Sequence, residues 1–240
     1  MNTTMKTAFT VGLLAMLMAL PAFGGSINKS VKIAAGVEAA GASSVNGSVS
    51  VGSDAVVTGG VNTVNGTVKV DSGASIQDAS TVNGGLKIGA NVKADNLSTV
   101  NGAIRVGESA TIRGEIEAVN GQISIAKGTT VAKDVGNVNG HIELSGAQVG
   151  GDVSTVNGDI EIIGLSVVKG DVIVEKPGGW NWSNSMNRKP RVVIGPGATV
   201  EGMIALQREV DLFISETAKV GGVSGIMSMN DAVRFSGENP

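Results

Sequence analysis

Apolar and polar residues alternate over short stretches, and the same stretch recurs along most of the chain. Each copy begins with Val-Asn-Gly, and the third and fifth residues after the Asn are aliphatic, as Ile104 and Val106 are after Asn101. The residue between them is polar or charged in every copy. A period of two predicts a short strand with one buried and one solvent-facing side. A second short run, ending for example in Ile112, supplies another inward aliphatic residue.

Val-Asn-Gly occurs seven times, at spacings of 18 or 19 residues. The Asn residues of the seven copies are Asn46, Asn65, Asn83, Asn101, Asn120, Asn139 and Asn157. The alternation also precedes the first copy, around 31–37, and follows the last, over 192–202 and 210–222, which gives ten units. Such a unit matches one coil of a β-solenoid. We therefore predict an all-β, single-domain parallel β-helix of about ten coils with 18–20-residue repeats, expected to be right-handed.

The Asn-Gly pairs predict where each coil turns. Gly enters the left-handed backbone region freely and Asn tolerates it, so we expect these residues at sharp corners. Asn-Gly also marks two-residue hairpins, and an array of β-hairpins is the alternative architecture. An inward Val before each Asn favours stacked coils. Stacking would place equivalent Asn side chains about 4.8 Å apart, close enough for a ladder of amide hydrogen bonds.

The composition agrees with a narrow aliphatic interior. Among 240 residues there are 36 Gly, no Tyr and only 2% aromatics, yet 42% are hydrophobic and 16% charged. This balance argues against intrinsic disorder, and five Pro without a Gly period exclude collagen. The absence of Cys excludes disulfides and thiolate metal sites. A net charge of −3 does not indicate a nucleic-acid partner.

Residues 1–24 have the pattern of a secretory signal peptide. Lys6 precedes an apolar run over 11–20, and the small residues Ala22 and Gly24 follow, so cleavage is expected before Gly25. The alternative is an uncleaved anchor, but the run is shorter than the ~20 residues of a spanning helix. We expect residues 25–240 to form the mature solenoid domain, without a transmembrane segment. Its expected location is the periplasm, the cell surface or the medium.

One long insertion interrupts the repeat. It separates the Val-Asn-Gly coils, residues 45–175, from the C-terminal coils and cap, residues 192–240. Residues 175–191, which we call the insert, are bounded by Pro and Gly and contain both Trp residues of the chain. The candidate interaction residues are Trp180, Asn181 and Trp182. Packing on the solenoid edge, protein contact and glycan contact remain open for them, the last because Trp rings stack on sugars.

Aromatic and Met residues gather near the C-terminus. We expect a hydrophobic cap there, formed by Phe213, Phe235, Met203, Met227 and Met229. A capped terminal coil would oppose end-to-end polymerisation, which needs unpaired strand edges.

Candidate chemistry is sparse. A Gly-containing repeat of six residues resembles that of hexapeptide-repeat acyltransferases, but units of 19 residues are not a multiple of six. Those enzymes also rely on a His base, and the single His of this chain, His141, stands at a variable solvent-facing position. Glu143 and Glu161 occupy equivalent positions of adjacent coils, above a basic stretch on the same face, a gradient that could orient contacts between rods. The basic residues are Lys69, Lys87 and Arg105, and the acidic residues Asp152, Asp159 and Asp171 are expected to be scattered among turns. No catalytic residue, cofactor or metal site is predicted.

The repeat resembles two families. The glycine-rich coil over 194–202 looks like those of the polymer-forming bactofilins, and the Val-Asn-Gly array is similar to exported bacterial β-solenoid proteins of the DUF4097 type. The bactofilin resemblance implies a structural, self-associating role and carries no catalytic residues, while the expected signal peptide departs from the cytoplasmic location of bactofilins.

The resulting hypothesis is a non-enzymatic envelope protein whose partners are copies of itself, an envelope protein or a glycan, with no nucleic acid. A glycan-binding or adhesion module using Trp180 and Trp182 is the alternative, and a polysaccharide-active enzyme is third.

Overall fold

The structure is a computed structural model that describes residues 25–177 and 188–240. The expected signal peptide over 1–24 lies outside the described residues. So do Trp180, Asn181 and Trp182, the candidate interaction residues of the insert.

The described residues form short strands in stacked sheets, with a single 3-10 helix at Met229–Asp231. Sheet A contains β1 (Gly25–Ser26), β4 (Ala42–Asn46), β7 (Val61–Asn65), β9 (Ala79–Asn83), β12 (Leu97–Asn101), β15 (Ile116–Asn120), β18 (Val135–Asn139), β21 (Val153–Thr155), β24 (Val172–Val174), β27 (Ile204–Leu206) and β30 (Val223–Gly225). Sheet B contains β2 (Val31–Ile33), β5 (Val49–Val51), β8 (Val68–Val70), β10 (Leu86–Ile88), β13 (Ile104–Val106), β16 (Ile123–Ile125), β19 (His141–Ser145), β22 (Asp159–Ile163), β25 (Arg191–Ile194), β28 (Asp211–Ser215) and β31 (Val233–Phe235). Sheet C contains β11 (Lys93–Ala94), β14 (Thr111–Ile112), β17 (Thr130–Val131), β20 (Gln148–Val149), β23 (Val167–Val168), β26 (Thr199–Val200) and β29 (Lys219–Val220), and β3 (Glu38–Ala39) pairs with β6 (Val56–Val57) as a separate pair.

Each strand pairs in parallel with the equivalent strand of the next coil. In sheet B, Leu86 is in register with Ile104 and Ile104 with Ile123, so one coil contains 18 or 19 residues. The coil with the insert is longer, because Ile162 pairs with Ile194. Hairpins would give antiparallel pairs, so the alternative architecture is excluded for the described residues and the predicted all-β parallel solenoid is confirmed.

The interior is a stack of aliphatic side chains, as the composition suggested. The inward residues of sheet B are fully buried through successive coils, for example Ile104, Ile123, Ile142 and Ile160. Burying each such side chain contributes roughly 1.5–3 kcal/mol. The regular stack therefore stabilises a narrow core without aromatic residues.

The corner after sheet A differs in two ways from the expectation. The Val before each Asn was expected to point inward, which is wrong: these residues are half-buried, and the residue before each of them is buried instead. The seven are Val45, Val64, Val82, Val100, Val119, Val138 and Val156. The Asn residues of the repeat also have no positive φ angle, and the left-handed corner lies after sheet B, at positions such as Asp54 and Asn91.

Apart from Gly140, whose φ angle is +138°, the Gly of Val-Asn-Gly is needed for close approach rather than for a positive φ angle. A Cβ on Gly102 would lie 1.9 Å from the carbonyl oxygen of Gly84, its equivalent in the preceding coil. Gly121 and Gly102 stand in the same relation, at 1.7 Å. A side chain at this corner would therefore push two coils apart.

The C-terminal cap is confirmed in part. Met227 and Met229 pack against the core, and Phe235 is 9% exposed in the last strand of sheet B. The expectation is wrong for Phe213 and Met203. The side chain of Phe213 points outward between two buried neighbours and lies beneath the guanidinium of Arg191. Met203 is 37% exposed.

No helix among the described residues combines the length and the apolar character needed to cross a membrane.

Candidate functional site

The corner between sheets A and B carries a continuous ladder of Asn side chains, which we call the Asn ladder. The Nδ2 of each Asn donates a hydrogen bond to the Oδ1 of the Asn in the preceding coil, at 2.8–3.1 Å. Its members are Asn28, Asn46, Asn65, Asn83, Asn101, Asn120, Asn139 and Asn157. The predicted ladder is confirmed, and Asn28, which follows Ile rather than Val, extends it by one coil.

A second, buried ladder supports the same corner and was missed in the sequence. In five of the seven copies the side chain two residues before the Asn donates to a carbonyl group of the preceding coil, as Thr63 does to Gly47 at 2.7 Å and Thr99 to Gly84 at 2.9 Å. Ala118 interrupts the row, and Thr155 donates to Oδ1 of Asn137 instead. These hydroxyl groups are buried, so their hydrogen bonds offset the cost of removing them from water. The recurrence of Ser or Thr before Val-Asn-Gly was the available signal.

The Asn ladder ends directly below the insert. Asn157 is its last member, and its Oδ1 accepts a hydrogen bond from Nη1 of Arg208, at 2.8 Å. The same Nη1 lies 3.3 Å from the carbonyl oxygen of Val156. Arg208 lies two coils above Asn157, because Lys176 occupies the equivalent position in the coil between them. A cationic side chain therefore completes the row of amides.

The insert returns to the solenoid through contacts with the coils on either side of it. The guanidinium of Arg188 forms an ion pair with Asp159, and the backbone N–H of Arg191 donates to Oδ1 of the same carboxylate at 2.8 Å. Nζ of Lys189 lies 2.7 Å from Oε2 of Glu209 in the following coil. Asp159 and Glu209 therefore hold the base of the insert from below and from above.

The Lys189–Glu209 pair is exposed but electrostatically matched. The hydrogen bond from Lys189, together with its charge, lowers the pKa of the Glu209 carboxylate. The same contact raises the pKa of Lys189. Both groups therefore remain charged at neutral pH. The sequence held a signal for this contact. The last two coils are spaced by 20 residues, and adding 20 to Arg188 and Lys189 gives Arg208 and Glu209 as their neighbours in the following coil.

The outer face of sheet B presents one column of central residues, one from each strand. From the first coil to the last, the column contains Lys32, Ser50, Lys69, Lys87, Arg105, Ser124, Glu143, Glu161, Val193, Phe213 and Val233. The predicted separation of a basic stretch from Glu143 and Glu161 is confirmed. His141 is half-exposed beside this column, with Nε2 3.6 Å from Oε2 of Glu161.

Acidic residues form a further column at the corner before sheet A. The expectation that Asp152, Asp159 and Asp171 are scattered among turns is wrong. Asp152 and Asp171 occupy equivalent positions with Asp134, and Asp159 lies in strand β22. Oδ1 of Asp134 accepts from the backbone N–H of Asp152, and Oδ1 of Asp152 from that of Asp171, both at 2.8 Å. These carboxylates satisfy backbone groups of the next coil.

Two carboxyl groups near this corner have raised pKa values. Burial raises the pKa of Asp152, against the effect of its hydrogen bond from the backbone of Asp171. Burial also raises the pKa of Glu117 to about 7, and the negative charges of Glu115 and Asp134 add to the effect. Glu117 projects from the outer side of sheet A. Within residues 25–177 and 188–240, no group of three or more His, Cys, Asp or Glu side chains is placed to hold a metal ion.

No protein-family model matches the chain, and no similar protein is found among curated proteins or solved structures.

Proposed function

We propose that the protein is a non-enzymatic, exported structural or interaction protein of the bacterial cell envelope, with the solenoid as a scaffold and the insert as its contact element. The observation that carries this proposal is the attachment of the insert. Arg188 and Lys189, near the C-terminal end of the insert, bind Asp159 and Glu209 in the flanking coils. Loops held on a rigid scaffold are frequent sites of binding.

The scaffold supports this role by its geometry. Eleven parallel strands in sheet B, at about 4.8 Å per strand, give a rod roughly 50 Å long. A rod with one long insert near its C-terminal end presents that insert at a defined position. The pattern of residues 1–24 supports export, and the resemblance to bactofilins and DUF4097-type proteins supports a structural role.

Cell fractionation combined with affinity capture tests the proposal. A C-terminally tagged chain should be found outside the cytoplasm without residues 1–24, and should capture an envelope component that the variant lacking residues 178–187 does not capture. A tagged chain that stays in the cytoplasm with its leader intact would contradict export. Equal capture by the wild-type and deletion variants would contradict the role of the insert.

The Trp-Asn-Trp sequence of the insert supports glycan binding as the second candidate, since aromatic faces and amide groups suit sugar rings. Trp180→Ala combined with Trp182→Ala should then abolish co-sedimentation with purified cell-wall glycan. The matched control is Ser183→Ala combined with Ser185→Ala in the same insert. If the Trp variant loses a protein partner but glycan is never bound, protein contact is the function of the insert.

A further inference from the structure

In the central column of sheet B, charge is antisymmetric over the two strands on either side of the middle strand, whereas at the third strand Lys69 mirrors the uncharged Val193. Strand β16 is the sixth of eleven strands, and Ser124 is its outward residue. One strand below lies Arg105 and one strand above lies Glu143. Two strands away lie Lys87 and Glu161. Positive charge on one side of Ser124 is therefore matched by negative charge at the same distance on the other.

The flanking residues show the same antisymmetry in size. On the basic side, the residues next to the central column are small: Gly85 and Ala103 before the strands, Gly89 and Gly107 after them. Larger side chains stand at the mirrored positions on the acidic side. Asp159 mirrors Gly85, His141 mirrors Ala103, Ile163 mirrors Gly89 and Ser145 mirrors Gly107. Asp159 is already paired with Arg188, so it adds no unpaired charge. Size and charge therefore vary together along this face.

We propose that two copies of the chain pack antiparallel through the outer faces of their B sheets, about a two-fold axis that is parallel to strand β16 and passes between the two sheets, above Ser124. This rotation reverses the rod and keeps the strand direction. It places Arg105 of each copy opposite Glu143 of the other, and Lys87 opposite Glu161. The proposal rests on the proposed scaffold role and deepens it by naming the surface and the geometry of self-association.

Three of the four charged groups have no charged partner. Lys87 and Arg105 are exposed, and within the described residues neither they nor Glu143 form an ion pair, while Glu161 lies 3.6 Å from Nε2 of His141 in its own chain. Sheets pack about 10 Å apart face to face, a gap that an Arg or Lys side chain and a Glu side chain together can span. The small residues Gly85, Gly89, Ala103 and Gly107 leave room for the larger side chains opposite.

Other arrangements of two rods are less favourable. A parallel pair would place Lys87 against Lys87 and Glu143 against Glu143, and like charges across an interface oppose association. End-to-end stacking would place the first coil against the C-terminal cap, where Met227 and Met229 already cover the core. The antiparallel pair is closed, because its symmetry uses the same patch on both copies.

Charge reversal followed by mixing tests the pairing. The wild-type protein should sediment as a dimer at low salt, and Arg105→Glu and Glu143→Arg should each raise the dissociation constant at least about tenfold, because like charges then face one another. An equimolar mixture of the two variants should dimerise again, since every facing pair becomes opposite in charge. A monomeric wild type, or a mixture that stays monomeric while each variant is folded by circular dichroism, would overturn the proposal.

Cysteine cross-linking tests the geometry in a chain that has no native Cys. Ser124→Cys lies next to the axis and should cross-link between copies with a short bismaleimide. The control is Ser50→Cys in the same column, which lies about 38 Å from its counterpart in the antiparallel dimer and should not react with it. Cross-linking of both variants would indicate parallel rods, and cross-linking of neither would exclude this face. Either result overturns the proposal.

The test of the dimer and the test of the proposed function can fail independently. A monomeric wild type that still captures its envelope partner through the insert contradicts the dimer alone. A dimer that remains in the cytoplasm contradicts the export and envelope role, while the antiparallel pairing stands.

Discussion

Nη1 of Arg208 donates to Oδ1 of Asn157 across an intervening coil, at 2.8 Å. Each Asn between Asn28 and Asn157 uses its Nδ2 as donor and its Oδ1 as acceptor within the ladder, so Asn157, the last member, has an acceptor without a further Asn above it. Lys176 occupies the position where the next Asn would stand. The long Arg side chain supplies the missing donor from one coil higher, directly beside the base of the insert.

Removing this donor should loosen the coils around the insert more than the rest of the rod. Arg208→Met keeps a long side chain but loses the hydrogen bonds to Asn157 and Val156, at an expected local cost of about 1 kcal/mol. Amide hydrogen exchange should quicken in strands β21 and β24 and remain unchanged in β8. Arg208→Lys should show a smaller effect because it keeps a charged donor. Uniform exchange changes along the whole rod would contradict a local role.

Interrupting the Asn ladder in its middle should destabilise the solenoid. Asn101 donates to Asn83 and accepts from Asn120, at 3.0 Å in each case. Asn101→Ala removes both hydrogen bonds and should lower the free energy of unfolding by about 1 kcal/mol, a modest value because the amides are exposed. Urea unfolding followed by circular dichroism measures it.

Asn101→Asp removes the hydrogen-bond donor of this side chain and keeps the acceptor. Asn101→Asp can still accept from Asn120 but places a carboxylate oxygen against Oδ1 of Asn83, so it should be no better than Ala. Lys93→Ala, an exposed substitution on sheet C, is the control and should leave the unfolding midpoint almost unchanged. Equal midpoints for wild type and both Asn101 variants would show that the ladder does not contribute to stability.

Much of the fold was predictable because one repeat specifies both strand phase and stacking. Aliphatic residues three and five positions after each Asn identify the buried side of sheet B, and the constant spacing brings equivalent Asn residues together. The orientation of Val64 was not predictable by counting back from Val68. Those residues are separated by the Asn-Gly corner, which resets the alternation between one sheet and the next.

The contacts around the insert were less predictable for a geometric reason. Arg208 reaches Asn157 over 51 positions, and this contact depends on how the chain returns to the solenoid after the insert. The column containing Asp134, Asp152 and Asp171 was missed because it lies at a corner outside the Val-Asn-Gly motif. Once the register of sheet A is known, their equivalence follows directly.

The two corners of the coil require Gly for different reasons, and substitutions should separate them. Gly102→Ala would place a Cβ 1.9 Å from the carbonyl oxygen of Gly84, so the coils must separate, at an expected cost of about 2 kcal/mol or more. Gly36 has a φ angle of +68° and no atom within 4 Å of an added Cβ. Gly36→Ala should therefore cost only about 1 kcal/mol, from the backbone conformation alone.

Substituting Asn for Gly at each corner should distinguish the effect of a positive φ angle from the effect of the close approach between coils. Gly36→Asn should be milder than Gly36→Ala, since Asn91 already adopts a positive φ angle at the equivalent corner. Gly102→Asn should be at least as harmful as Gly102→Ala, because any side chain meets the same carbonyl group. Thermal unfolding of the four variants gives the order. If Gly102→Ala were as stable as the wild type, the close approach of the coils would not be limiting.

Glu117 should make the stability of the solenoid depend on pH. Burial raises its pKa to about 7 from the ordinary value of 4.5, so the folded state binds its proton more tightly than the unfolded chain does. Stability from this group is therefore highest below pH 4.5 and declines as the pH rises through 7. Glu117→Gln removes the ionisable group and should stabilise the protein at pH 8 by about 1 kcal/mol, after allowance for its partial exposure to solvent.

The pH dependence of the difference between variants is the decisive measurement. The advantage of Glu117→Gln at pH 8 should shrink as the pH is lowered and vanish only well below pH 4.5, where Glu117 is protonated in both the folded and the unfolded chain. Ser154→Ala, in the same outward column of sheet A, is the control and should give a change that does not vary with pH. Glu115→Gln should lower the pKa of Glu117 in an NMR titration, because it removes a neighbouring negative charge. A Glu117→Gln difference that is constant from pH 4.5 to 8 would mean that the carboxyl group titrates alike in the folded and unfolded chains.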